Sequence, residues 1–173
     1  MQPSSQNAVF ERWVTEYSGI LHHVVRGFAD GADQSDLMQE LMLAVWKAVP
    51  AFRHGAKLST FIYRVAHNAA LTWKRTQKNY QKRVDGFEAS PLRELETLPE
   101  MSSRERETLE LLYAQIRLLA PVDRSLILLH LDHVSYAEMA EIHGLSESNV
   151  GVRLTRLKQK LSDAMKEVSH ELR

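Results

Sequence analysis

The chain has 173 residues, carries 22 Lys and Arg against 22 Asp and Glu, and contains no cysteine. This length suits one domain or two small ones and is too short for a large α/β enzyme. The lack of cysteine excludes a disulfide scaffold, a thiolate zinc site and a cysteine nucleophile. Because apolar runs are short and the chain starts with polar residues, we expect a cytoplasmic protein with no membrane insertion and no signal peptide.

The balanced net charge hides segments of opposite sign. Residues 51–84 contain eight Lys and Arg and no acid, whereas residues 85–112 contain eight acids and three bases. A second acid-free stretch, 150–160, carries four bases. A single charged run usually marks a solvated face, but two basic blocks separated by an acidic spacer favour two binding surfaces for a polyanion.

Apolar residues recur mostly at helical spacing, which predicts an all-α fold. The first helix is expected at about 8–29, and the second, with Asp33 as its N-cap, at about 35–49. The second helix carries two neighbouring apolar stripes, which begin at Leu37 and Met38. Either this helix packs on two sides within its own domain, or one stripe contacts a partner protein, and the sequence leaves both interpretations open.

The third helix is expected to run from a cap at Ser59 or Thr60 to about Asn79. One of its sides is apolar, and the other presents basic and hydrogen-bonding side chains at spacings of three and four. The residues on this second side are Arg64, His67, Asn68, Leu71, Lys74, Arg75 and Lys78. They predict one basic face along most of the helix.

Residues 81–103 hold two prolines, are acidic and lack a clear apolar period, which is typical of a flexible linker. We therefore expect two small helical domains, 8–80 and 104–168, on either side of it. In the second domain, one helix is expected to end at Pro121 and the next to cover residues 122–131.

The most specific local pattern lies in the last forty or so residues of the chain. Ser135 and Glu138 have the spacing of a capping box, and the short helix that they open ends at Gly144. Leu145 is placed to fill the space between two helices, and Ser146 to cap a longer helix. The outer face of that longer helix carries Ser148, Asn149, Val152, Arg153, Arg156 and Lys160. The pattern predicts a helix-turn-helix that reads DNA, with two helices that merely pack together as the alternative.

Two blocks of this sequence resemble the sigma-70 family. Asp-Leu-Met-Gln-Glu at 36–40, followed by Val-Trp at 45–46, and Leu-Ser-Thr-Phe-Ile-Tyr-Arg at 58–64 resemble its N-terminal promoter-binding domain. The segment 135–161 resembles its C-terminal helix-turn-helix domain, and the two-domain extracytoplasmic-function (ECF) group is the most similar. The resemblance implies an alternative sigma factor, which binds bacterial RNA polymerase core enzyme and directs promoter recognition, DNA melting and transcription initiation.

The resemblance also assigns three sets of binding residues. Those that face the clamp helices of the largest polymerase subunit are Asp36, Gln39, Glu40 and Trp46. Those for the −10 promoter element are Lys57, Ser59, Thr60, Arg64, His67, Asn68, Lys74, Arg75 and Lys78. Those for the −35 element are Ser146, Ser148, Asn149, Arg153, Arg156 and Lys160. An anti-sigma factor is a further implied partner, and the resemblance implies no catalytic residue and no cofactor.

Phosphate contacts position a protein on DNA, whereas a few side chains specify the sequence. We therefore expect Asn149 and Arg153 to affect base preference, and Lys78 and Lys160 to affect mainly affinity.

Two other classes of protein stay open on the sequence alone. A helix-turn-helix transcriptional regulator that acts without polymerase would share the second domain, but it leaves the surface around Asp36 and Trp46 unexplained. An enzyme or a metal protein would rest on the eight histidines. His130 and His133 share a helix face without an obvious third ligand, and neither a His-Glu-x-x-His motif nor a phosphate-binding glycine loop is present. We therefore expect no bound metal.

Overall fold

The computed structural model describes residues 3–53, 57–81 and 102–171, and the side chains within 5–53, 57–77 and 102–167. The helices in these ranges are α1 (Pro3–Glu16), α2 (Ser18–Phe28), α3 (Asp33–Ala48), α4 (Leu58–Gln81), α5 (Ser103–Arg117), α6 (Pro121–Leu131), α7 (Tyr136–His143) and α8 (Glu147–Glu171). A 3-10 turn, Val49–Ala51, follows α3. The all-α prediction is confirmed. None of the helices in the described ranges is both long and apolar enough to cross a membrane.

The first predicted helix is two helices. Tyr17, at φ −112° and ψ 21°, interrupts the helical backbone between α1 and α2. The prediction of one helix over 8–29 was therefore wrong, because the apolar stripe of α1 continues in phase into α2 and hides the break. The cap of the next helix also differs, since Ala32 is its N-cap and Asp33 lies in its first turn. There the Asp33 carboxylate accepts a hydrogen bond from the Gln77 side chain of α4. Its negative charge also interacts favourably with the positive end of the α3 helix dipole.

The start of α4 differs from the prediction in the same way. The Phe61 N–H donates to the Lys57 carbonyl at 3.1 Å, so the helix is already formed at Leu58. Ser59 and Thr60 lie in the first turn and neither of them is the N-cap. The Thr60 hydroxyl instead donates to Glu138 of α7 at 3.0 Å, a tertiary contact that the local sequence does not reveal.

Two groups of helices each bury an apolar face. In the first, α2, α3 and α4 pack together and bury Leu21, Val24, Phe28, Leu37, Leu41, Val45, Ile62, Ala66 and Ala70. In the second, α8 packs on α5, α6 and α7. The predicted core face of α8 is confirmed, because Val150, Leu154, Leu157 and Leu161 are all buried. We call these groups the first unit (α1–α4) and the second unit (α5–α8).

The two units pack against each other. Helix α2 contacts α5 and α6, while α4 contacts α6 and α7. The approach of α2 to α6 is so close that a β-carbon at Gly27 would overlap the Leu128 side chain. Most of the predicted linker, residues 82–101, lies outside the described residues. At the described end of that segment, Ser102 caps α5 and the helix begins at Ser103.

Candidate promoter and polymerase interface

The helix-turn-helix geometry predicted near the carboxyl terminus is present. The Ser135 hydroxyl accepts from the Glu138 N–H at 3.3 Å, and the Ser135 N–H donates to the Glu138 carboxylate at 3.1 Å, which completes the capping box. Gly144 ends α7 in the left-handed region at φ 65°, where glycine has no steric cost. The Ser146 hydroxyl then caps α8 by accepting a hydrogen bond from the Asn149 N–H at 3.2 Å.

The outer face of α8 is largely open to solvent. Ser148, Asn149, Arg156 and Lys160 are exposed, and half of the Val152 surface is accessible. Arg153 is half-buried, and its guanidinium donates to Asp123 of α6 at 2.9 Å. This ion pair places the guanidinium beside the first turn of α6.

Acidic side chains of α7 lie on the first two turns of α4. Glu138 accepts from Lys57 at 3.3 Å and from Thr60 at 3.0 Å, and Arg64 lies 3.7 Å from Glu141. The hydrogen bonds from Ser135, and then those from Thr60 and Lys57, lower the pKa of Glu138 to about 2. The carboxylate is therefore ionised at neutral pH, where it occupies hydrogen-bonding groups predicted to contact the −10 element.

His67 is not on an exposed face. It is completely buried between α4, α6 and α7, where its Nδ1 is hydrogen-bonded to the Ser125 hydroxyl. The prediction that His67 belongs to an open basic face of α4 was therefore wrong for this conformation. The reason lies in the tertiary structure, because α6 and α7 cover the side of α4 that carries His67. Helical periodicity cannot identify which distant helices will cover a given side.

The second half of α4 lines an open cleft of about 590 Å³. Its lining residues are Leu71, Thr72, Lys74, Arg75, Pro121, Val122 and Arg124. Arg75 and Asn68 are exposed, whereas Lys74 is half-buried. Burial, and then the charge of Arg124, lower the pKa of Lys74, and Asp33 opposes this shift. Lys78 lies on the last turns of α4, and its side chain is outside the described residues.

The surface of α3 shows how much of its two apolar stripes is covered within the protein. Leu37, Leu41 and Val45 form the buried stripe. The neighbouring stripe is partly covered by α1, because the Trp46 indole donates to Asn7 at 2.9 Å and the Gln6 side chain donates to the Trp46 carbonyl at 2.9 Å. Beyond this cover, Asp36, Gln39 and Glu40 are exposed, and Leu43 is 44% exposed. Packing within the first unit therefore accounts for the buried stripe and part of its neighbour.

Sequence reasoning missed the polar residues that join the two units. Arg26 is buried, donates to Glu110 and lies 4.6 Å from the Tyr113 ring centroid. Arg124 is also buried and donates to the carbonyls of Phe28 at 3.3 Å and Leu119 at 3.1 Å. The signal available in the sequence was an arginine on the apolar side of each of two short, hydrophobic helices.

Two further residue pairs cross the same boundary. His23 contacts the Tyr113 hydroxyl at 2.7 Å and the Leu128 carbonyl at 3.1 Å. The Tyr63 hydroxyl donates to Asp132 at 3.1 Å, and burial is the main cause that raises the pKa of both groups. Three of the eight histidines, His23, His67 and His143, thus take part in packing where α2, α4 and α7 meet α6.

Comparison with known proteins assigns both units. The family of sigma-70 region 2 matches residues 11–80, and that of sigma-70 region 4 matches residues 109–161. The chain belongs to the sigma-70 family. Region 2 thus covers most of the first unit, and region 4 covers α5 from Leu109 to the middle of α8 in the second.

Curated relatives of this sigma factor match over nearly the full chain. The RNA polymerase sigma factor YlaC of Bacillus subtilis (strain 168) is 26% identical over 158 residues, which cover 91% of each protein. The ECF RNA polymerase sigma-E factor of Escherichia coli (strain K12) is 26% identical over 171 residues, covering 94% of this chain and 89% of the relative. The protein is an alternative sigma factor of the ECF group and directs transcription initiation.

Solved structures share the fold. CnrH, in complex with the cytosolic domain of CnrY, aligns with a TM-score of 0.62 at 20% identity and covers 93% of this chain and 90% of its own. The sigma factor RpoE of Bartonella quintana, in complex with the anti-sigma factor NepR, aligns with a TM-score of 0.70 at 18% identity and covers 91% and 96%. Both likenesses support the arrangement of two helical units.

Proposed function

We propose that this sigma factor binds RNA polymerase core enzyme through α3, the −10 element through α4 and the −35 element through α8. The observation that carries the proposal is the exposed polar and basic face of α8, held by a complete helix-turn-helix in the unit that matches region 4. In this scheme, residues 8–80 and 104–168 act as separate functional domains, joined by the acidic linker 81–103.

The polymerase surface that we propose is the exposed side of α3. Asp36, Gln39 and Glu40 offer acceptors and donors to solvent, and Leu43 adds an apolar contact beside them. Trp46 contributes at the margin, where Asn7 already binds its indole N–H. A small exposed apolar patch with a polar rim is typical of a protein contact surface.

On the −35 element, α8 lies in the major groove in our proposal. Asn149 and Arg153, in the first two turns, contact base edges, because amide and guanidinium groups pair with adenine and guanine there. Ser148, Arg156 and Lys160 contact the phosphates. The Ser146 hydroxyl is already committed to the cap of α8, and we assign to it the role of positioning the helix N-terminus near a phosphate.

On the −10 element, the residues of α4 are not all available in the packed conformation. Lys57, Thr60 and Arg64 are paired with Glu138 and Glu141, and His67 is buried. We infer that the second unit leaves α4 before promoter DNA binds there, since DNA phosphates and the α7 carboxylates compete for the same donors. Ser59, Asn68, Lys74, Arg75 and Lys78 complete the proposed −10 surface.

The other partner that we propose is an anti-sigma factor. Two proteins that share this fold were solved in complexes, CnrH with the cytosolic domain of CnrY and the sigma factor RpoE with the anti-sigma factor NepR. A protein that stabilises the packed conformation would keep α4 away from DNA. We further propose that the protein acts in the cytoplasm by binding alone, without a catalytic group, metal or cofactor.

Transcription in vitro with purified core polymerase on a genomic library tests the proposal. We expect start sites at a defined set of promoters, and we expect Glu40→Lys to weaken binding to core polymerase about tenfold. Glu16→Lys, a charge reversal at another exposed position of the first unit, is the matched control and should leave core binding unchanged. Failure of the protein to join core polymerase, or specific DNA binding without polymerase, would contradict the assignment.

A further inference from the structure

One buried hydroxyl connects the two units at their centre. Ser125 of α6 is completely buried between His67 of α4 and His143 of α7. Its Oγ is hydrogen-bonded to His67 Nδ1 and lies 2.9 Å from His143 Nε2. The two imidazole rings lie edge to face with their centroids 6.3 Å apart. The other ring nitrogen of His67, Nε2, has no hydrogen-bond partner among the described residues.

The hydrogen-bonding capacity of these groups determines their protonation. A hydroxyl has one proton to donate, so Ser125 donates to one imidazole and accepts from the other. A buried N–H without an acceptor is rarer than a buried acceptor without a donor, which indicates that His67 Nε2 carries no proton. His67 Nδ1–H therefore donates to Ser125, and Ser125 donates to His143 Nε2. In this arrangement both imidazoles are neutral.

We propose that His67, Ser125 and His143 form a proton-sensitive latch, which holds the two units of the sigma factor together at neutral pH and releases them on acidification. A proton on His143 Nε2 removes the acceptor of the Ser125 hydroxyl. A proton on His67 places a charge in a completely buried position. Both events disfavour the packed conformation, whereas solvent accommodates both charges once the units separate.

The surroundings of the latch oppose a positive charge. Burial holds the pKa of His67 well below its usual range, and His143 and His23 of α2 act in the same direction. Burial also lowers the pKa of His143, and Arg153 of α8 adds to this effect. Phe28 of α2 and Tyr63 of α4 lie beside His67, with their ring centroids 6.4 and 6.2 Å from the centroid of the imidazole.

The charged groups nearby on α6 and α7 are committed to other partners. Asp123 pairs with Arg153, and Arg124 donates to backbone carbonyls. Asp132 accepts from Tyr63 and lies 3.7 Å from His23, while Glu138 and Glu141 pair with donors in the first turns of α4. Burial raises the pKa of Asp132, so its protonation favours the packed state and opposes the latch at lower pH.

The sign of the effect follows from the direction of the histidine shifts. With both pKa values lowered in the packed state and near 6.5 in the open state, the packed state binds fewer protons. Its stability from these groups is therefore complete above about pH 6.5 and is lost as the pH falls toward the lowered values. The latch adds a regulatory step to the proposed function, because opening uncovers the α4 residues assigned to the −10 element.

Distance measurements between the units test the latch without polymerase or DNA. Since the chain has no cysteine, single cysteines at the exposed positions Ser18 and Ser162 accept a donor and an acceptor dye specifically. We expect energy transfer to fall between pH 7.5 and 5.5 while far-UV circular dichroism stays constant. The logarithm of the opening constant should change by about two units per pH unit at its steepest, since two protons are bound.

The variant His143→Gln keeps a carbonyl acceptor for Ser125 but does not titrate, so its slope should fall to about one. His130→Gln is the matched control, because burial also lowers the pKa of His130, but Lys158 and His133 of its own unit are its charged neighbours. This control should keep the slope of the parent protein. Constant transfer across the pH range, loss of helicity together with transfer, or an unchanged slope in His143→Gln would each overturn the latch.

Because the readout is a distance, its result is independent of the proposed function. If the latch fails this test, the proposed binding to promoter DNA and polymerase still stands. A latch that passes the test does not by itself support them.

Discussion

Glu138 accepts a hydrogen bond from the Thr60 hydroxyl at 3.0 Å while its second oxygen completes the capping box with Ser135. One carboxylate thus starts the first helix of the helix-turn-helix and binds the first turn of α4. The capping of α7 and the contact between α7 and α4 therefore share this side chain. Changes at Glu138 should therefore affect promoter binding as well as local stability.

The variant Glu138→Gln should bind −10 element DNA more tightly than the parent protein. The substitution removes the charge that pairs with Lys57, and a neutral amide competes less well with DNA phosphate for that donor. We expect a severalfold lower dissociation constant for a fluorescent single-stranded −10 oligonucleotide at low salt, measured by anisotropy. Glu105→Gln is the matched control, since Glu105 forms the same capping box with Ser102 at the exposed first turn of α5. Equal effects of both substitutions would contradict closure through Glu138.

The same carboxylate should make stability depend on pH in acid. Its pKa in the folded protein is about 2, lower than the ordinary value of 4.5, mainly because Ser135 donates to it. Its contribution is therefore fully present above about pH 4.5 and is lost as the pH falls toward 2. Urea unfolding at pH 5 and pH 3 should show a smaller loss of stability in Glu138→Gln than in the parent. A parallel pH dependence in both proteins would be evidence against this prediction.

Different residues of α8 should determine the base preference and the overall affinity for DNA. Arg153→Ala should relax the sequence preference at one or two positions of the −35 element, because a guanidinium that reads a base edge contributes about 1–3 kcal/mol of discrimination. Lys160→Ala should weaken binding to all sequences alike and reduce the salt slope by about 0.9 units. Competition binding with a library of −35 sequences, at several salt concentrations, measures both effects. If Lys160→Ala altered base preference, the assignment of this face would be wrong.

Two glycines of α2 should respond in opposite directions to alanine. A β-carbon at Gly27 would overlap the completely buried Leu128, whereas a β-carbon at Gly19 meets nothing within 4 Å. Gly27→Ala should cost about 1–3 kcal/mol through overpacking. Gly19→Ala should stabilise the protein by up to about 1 kcal/mol through helix propensity. Thermal unfolding followed by circular dichroism compares the two variants. An unchanged melting temperature in Gly27→Ala would contradict the close contact between α2 and Leu128 of α6.

Much of the secondary structure and of the second unit could be predicted from local pattern. Apolar residues at helical spacing located α3, α4 and α6 to within a few residues of their observed ends, and Ser146 marked the start of α8. The capping box at Ser135 and the left-handed Gly144 followed from residue types at fixed spacing. The break at Tyr17 escaped prediction because the apolar phase is continuous across it. The predicted starts of α3 and α4 were wrong because the expected capping side chains bind distant residues instead. Asp33 binds Gln77, and Thr60 binds Glu138.

The amino-acid sequence by itself determined the helices, the helix-turn-helix and the family, because these depend on contacts between residues close in the chain and on motif spacing. Only the tertiary structure decided that His67 is buried, that Glu138 binds Thr60 and that the two units close on each other. Such contacts join residues 58 to 78 positions apart. Helical periodicity reports which side of a helix is covered, but it carries no information about which distant helix covers it.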